Sequence, residues 1–198
     1  MSTRGRPRKF DRQLALEQIL IQFREKGYEG ATLVDLITAA GIAPPSFYAA
    51  FGSKQAVFCE AVDHYIATTA APVIAALQQE TTLHQALSGM LQQSIEVALS
   101  CQPGGCLLIV GVVNCLPENQ QAREYLKSMR ALTRRFIRER AELARERDEV
   151  RSDADCGLLA DYFHGVMQMI SLQAREGATR NELLALIAPA LQSLSFFQ

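Results

Sequence analysis

The sequence predicts an all-α chain of about nine helices. A small N-terminal unit of three helices, residues 1–53, precedes a larger helical unit, residues 54–198. Three observations carry this reading. Ala, Leu, Gln, Glu and Arg dominate the composition, while strand signals are sparse. Apolar residues recur on a 3.6-residue period through most of the chain. Helix caps and glycine stops fall at the ends of those periodic runs.

The first helix is expected to start at Asp11, a good N-cap. Leu16, Ile19, Leu20 and Phe23 form one apolar stripe, and Gly27 supplies the stop. Thr32 caps a second helix, with Asp35 placed near its positive end. Leu33, Leu36, Ile37 and Ala40 form its inner face, and Gly41-Ile42-Ala43 is a turn of the length a helix-turn-helix needs. Pro44 and Pro45 fit only a first helical turn, so they open a short third helix ending at Phe51. Phe47 and Phe51, four apart, are expected to pack inward. Gly52 stops that helix, and Ser53 caps a fourth beginning at Lys54.

The fourth helix is expected to kink or stop at Pro72. Thr82 caps a helix carrying Leu83, Leu87, Met90, Leu91, Ile95 and Leu99. Pro103-Gly104-Gly105 then breaks the chain. The run from Cys106 to Val113 is apolar on all sides and reads as a short buried helix, since a strand there finds no partner. Pro117 starts a long amphipathic helix to about Asp148, with Arg and Glu paired on its wet face. Two more follow, roughly Asp153–Glu176 and Thr179–Ser195, and Pro189 predicts a bend in the last.

Phe23, Gly27-Tyr28, Thr32, Leu36-Ile37, Ala40-Gly41-Ile42, Phe47-Tyr48 and Phe51-Gly52-Ser53-Lys54 agree in order and spacing with a known pattern. The run resembles the N-terminal domain of the TetR family of bacterial transcriptional regulators. The motif match covers about the first third of the chain. The resemblance implies a double-stranded DNA operator as partner, a homodimer built on the last two helices, and a small-molecule effector bound in the larger domain. It places Thr32, Tyr48 and Lys54 at phosphates, and Thr38 with Pro44, Pro45 and Ser46 near base edges. One departure is Ala43, where the family often has a capping Ser or Thr.

The third helix, Pro44 to Phe51, contains no Arg, Lys, Asn or Gln. The strongest base-reading pairs therefore cannot come from it. Ser46 and Tyr48 offer hydroxyls, and Pro44, Pro45 and Ala49 offer apolar contact to thymine methyls. Weak direct readout shifts weight to phosphates and DNA shape. The N-terminal arm fits, because Arg4-Gly5-Arg6-Pro7 resembles an AT-hook core whose arginines enter a narrow A·T minor groove. The alternative is a merely solubilising basic tail.

Charge distribution supports the same assignment. The net charge is −1, yet residues 1–54 hold eight Lys/Arg against five Asp/Glu, or +3, leaving −4 elsewhere. No stretch is long and apolar enough to span a membrane, and no membrane partner is expected. Five cysteines without regular spacing suggest a reducing cytoplasm. No catalytic constellation, phosphate loop or zinc spacing stands out, so no enzyme activity, cofactor or metal is expected.

The effector cavity is expected between about Thr82 and Glu176, with Met90, Cys106, His164 and Met167 as candidate lining. Cys106 opens the buried helix, and a cysteine at a helix N-terminus can become a reactive thiolate. A redox- or electrophile-sensing switch through Cys106 is therefore the alternative function. A small buried core residue is the plainer reading of the same side chain.

Overall fold

A computed structural model describes residues 10–79, 82–111 and 116–198. The basic arm with Arg4 and Arg6 lies outside the described residues, as do Val112, Val113 and Cys115. Eleven α-helices are present among the described residues: α1 (Arg12–Gly30), α2 (Leu33–Ala40), α3 (Pro44–Phe51), α4 (Lys54–Tyr65), α5 (Ala71–Gln79), α6 (Leu83–Leu99), α7 (Leu107–Val110), α8 (Gln120–Glu146), α9 (Cys156–Arg175), α10 (Arg180–Leu184) and α11 (Ile187–Gln192). Counting α4–α5 and α10–α11 as single bent helices gives the expected nine.

The expected caps form. Asp11 accepts from the Gln13 and Leu14 amides. Thr32 and Asp35 make a reciprocal capping box, as do Thr179 and Glu182. Gly41 adopts the left-handed conformation, and α2 and α3 meet at 92° across it. Phe47 and Phe51 are buried as expected. Phe58 of α4 closes the small domain by packing edge-on against Phe23 and Tyr28, with centroids 4.9 and 4.8 Å away.

Four helix boundaries differ from the sequence reading, each for an identifiable reason. Gly27 has φ 69° and ψ 177°, so α1 kinks there and a last turn runs on to Gly30. Between α4 and α5 lies a π-helical segment, Ile66–Ala70. Pro72 has no N–H for the Thr68 carbonyl and would collide with it, so the helix widens instead of stopping. The apolar run after Cys106 holds a helix of only four residues, Leu107–Val110, with the chain turning at Gly111. The last helix breaks at Ala185–Leu186, one turn before Pro189, which cannot bond the Ala185 carbonyl. The long amphipathic helix behaves as expected, with Arg135–Glu139 and Arg138–Glu142 paired at 2.8 Å each on its exposed side.

In the larger domain α6 lies inside. It packs against α5, α9, α10 and α11, and buries Leu87, Met90, Leu91 and Ile95. The α8 and α9 helices pack side by side next to it. The α7 turn sits between α1, α8 and α9, so it touches both domains.

Candidate nucleic-acid interface and effector cavity

The exposed face of the small domain gathers most of the expected DNA contacts. Thr38, Pro44, Pro45, Ser46 and Tyr48 are all exposed, with half of the Tyr48 surface open. Phe47, on the opposite side of α3, is wholly buried and braces the Tyr48 ring edge-on at 5.9 Å. Thr32 is exposed, but its hydroxyl is already engaged: it donates to Asp35 Oδ2 at 2.7 Å and accepts from the Asp35 amide. Lys26 and that Thr32 cap hold the Asp35 carboxyl well below the usual range. Lys54 is half-buried, with its ammonium 4.5 Å above the Tyr28 ring. Burial lowers the Lys54 pKa, and Glu29 opposes that shift. Lys54 therefore belongs to the seam between domains as well as to the expected phosphate-binding edge.

Arg12 fastens the small domain together. It donates to the Ala50 carbonyl at the end of α3, forms a forked ion pair with Glu60 of α4, and covers the Phe51 ring at 4.8 Å. Though basic and partly exposed, it is engaged within the protein.

A cavity of about 520 Å³ lies in the larger domain. Cys106 and Met167 line it, as expected. Met90 and His164 do not. Met90 is fully buried in the α6 core; it shares a helix face with the lining residues Ser94 and Val97 but lies one turn before them, away from the void. His164 faces a separate polar cleft with Lys127, Arg130, Arg134 and Asp161. Burial, helped by Arg134 and Arg130, pushes the His164 pKa down to about 4. Nor is the wall confined to residues after Thr82: the π segment contributes Ile66, Ala67 and Ala70, and α5 contributes Val73 and Ile74. Pro72 inside an Ala-rich helical run was the one sequence signal of this wall. Irregular helix turns of this kind are frequent at functional sites.

The surroundings of Cys106 favour the thiol over the thiolate that the alternative function would use. Burial pushes its pKa up, and the Tyr65 hydroxyl bonds the sulfur at 3.3 Å. The opening of a four-residue helix does not overcome that desolvation.

Parts of the cavity wall connect to the DNA-reading unit. Cys106, Leu108 and Ile109 form one wall, and two residues further on the Gly111 carbonyl accepts from the Tyr28 amide at 2.8 Å. Glu29 accepts from the Leu116 amide at 2.8 Å and from Asn119 Nδ2 at 2.9 Å. Arg175 of α9 donates to the Arg24 carbonyl at 2.9 Å and to that of Glu25, holding the end of α1. Arg24 in turn donates to Ser100 Oγ at 2.7 Å and lies over the Tyr65 ring. None of this seam shows in the sequence, because its partners are up to 151 positions apart.

The α2–turn–α3 unit with an exposed second helix, carried on an all-helical body, defines a helix-turn-helix DNA-binding regulator. Residues 15–61 match the family described as bacterial regulatory proteins, tetR family, and residues 84–185 match the tetracyclin repressor-like C-terminal domain. The chain belongs to the TetR family of transcriptional regulators. It is similar to the HTH-type transcriptional repressor ComR of Escherichia coli K12, with 31% identity covering 96% of this chain and 91% of ComR. The repressor BdcR of the same organism is 27% identical, covering 96% and 92%. Among solved structures, a cysteine-substituted TetR family regulator CifR, complexed with 26-base-pair operator DNA, superposes with a TM-score of 0.89. That protein is 33% identical, and the match covers 95% of this chain and 99% of CifR. No single helix among the described residues is long and apolar enough to cross a membrane.

Proposed function

We propose that the protein is a homodimeric repressor that leaves its operator when a small molecule fills the cavity. The observation that carries this is the cavity's construction. Two of its walls are the π segment that ends α4 and the α7 turn, and each leads directly into the reading head. A ligand that favours a shifted α7 or a straightened π segment acts on the head at Tyr28 and through α4. The head, residues 1–53, meets DNA with Thr38, Pro44, Pro45, Ser46 and Tyr48, assisted by Thr32, Lys54 and the arm arginines Arg4 and Arg6. The relatives being regulators, no enzymatic role is assigned to the chain.

The dimer face follows from the exposed apolar stripe Leu158, Tyr162, Met169 and Leu172 on α9, extended by Leu184. These positions repeat near 3.5 residues, the spacing of a helix–helix seam. The test is retention of genomic fragments by the purified protein, followed by release with small molecules. Recovery of one palindromic site, released by a compound that protects cavity residues from labelling, supports the proposal. Fragments retained without sequence preference would contradict it.

A further inference from the structure

The cavity has a definite chemical character. No Lys, Arg or His side chain among the described residues lines it. Its one charged group among the described residues is Asp63, which accepts a hydrogen bond from the Tyr125 hydroxyl. An anionic ligand would be desolvated there without a counter-charge and would face a carboxylate, and an ammonium would have to leave water for a single exposed carboxylate already bonded to Tyr125; both arrangements are costly. Among the described residues three hydroxyl side chains belong to the lining, Ser94, Thr133 and Ser171. Ser94 and Thr133 give their protons to carbonyls one turn back on their own helices, at Met90 and Met129.

Ser171 differs. It is 99% buried, accepts the Cys106 amide proton at 2.7 Å, and has no acceptor for its own proton among the described residues. The Cys106 amide fixes its oxygen, and the proton is left to donate. A buried donor without a partner is costly, and a ligand oxygen would relieve it.

We infer that the cavity takes an uncharged, largely apolar molecule with one acceptor oxygen, and that Ser171 receives that oxygen. This rests on the cavity being the effector site. It names the class of effector and a residue that selects it.

The experiment titrates the full-length protein with 2-octanone, octanoate and octylamine at neutral pH, reading affinity by calorimetry. The ketone is expected to bind at least tenfold more tightly than either ion. Ser171→Ala is expected to lower ketone affinity about three- to tenfold, the worth of one hydrogen bond. Ser171→Thr keeps a hydroxyl and should retain most of the affinity, which separates donor loss from disturbance of the fold. Tighter binding of octanoate or octylamine, or equal ketone affinity in Ser171→Ala, overturns the ligand class while leaving the site in place. If no probe binds, or if all bind equally to the cavity-filled variant Ala70→Phe, the effector-site reading falls as well.

Discussion

At the scale of single residues, exposure separates side chains that can meet DNA from those that hold the reading head. Tyr48 presents a hydroxyl from a braced, half-exposed ring, so Tyr48→Phe should weaken operator binding about tenfold, the worth of a hydrogen bond to a charged phosphate. Sequence preference should stay the same in a selection from random DNA; a changed consensus would make Tyr48 a base reader. Ser46→Ala should change preference instead. Phe58, fully buried against Phe23 and Tyr28, is a structural counterpart. Phe58→Ala should cost about 3–5 kcal/mol in denaturant unfolding, and a loss below 1 kcal/mol would mean the aromatic cluster does not anchor α4. His164 predicts a pH effect of definite sign. Its pKa is about 4 in the folded protein against an ordinary 6.5. Between these values the unfolded chain binds the proton and the native protein does not, so stability falls as pH drops through that window. The loss is on the order of 2–3 kcal/mol. His164→Gln should flatten the stability profile between pH 6.5 and 4, and an unchanged profile would place the proton uptake elsewhere.

At the scale of elements, local signals were legible and long-range ones were not. The caps at Asp11, Thr32, Ser53, Thr82 and Thr179, the stop at Gly41 and the inward pair Phe47 and Phe51 are written within a few residues of where they act. Breaks were legible only as places of trouble. Pro72 announced an interruption, but whether a helix ends or widens depends on packing on both sides of it. A cavity lies in the domain where one was expected, yet Met90 and His164 do not line it. Apolar character alone does not tell which turn of a helix meets a void. The seam around Tyr28, Glu29, Arg24 and Arg175 was invisible, since distant segments meet there. It nevertheless makes a prediction. Glu29 ties the head to the residues after α7 through Leu116 and Asn119. Glu29→Ala should leave ligand affinity within about threefold while reducing the factor by which ligand weakens operator binding. Full retention of that factor would leave transmission to α4 and its π segment.

At the scale of the whole molecule, charge and apolar surface divide the work. The positive excess of residues 1–54 sits in the DNA-reading unit, and the exposed apolar stripe sits on α9. Leu172→Glu with Met169→Glu should convert the dimer to monomer in sedimentation at micromolar concentration and abolish palindrome binding together with it. Half-sites on the operator should lie about 34–36 Å apart or at another groove-matched spacing. Removing residues 1–9 takes away Arg4, Arg6, Arg8 and Lys9. Each of them that truly contacts a phosphate should reduce the log–log salt slope by about 0.9. An unchanged slope would place the arm off the DNA.

The central claim is that cavity occupancy and operator binding are two faces of one equilibrium. Linkage makes this directly measurable once an operator and a releasing compound are in hand. The compound's affinity is determined twice, for the free dimer and for the dimer saturated with operator. The account predicts weaker binding to the operator-bound form, by the same factor by which the compound weakens operator binding. Equal affinity for the two forms would contradict it.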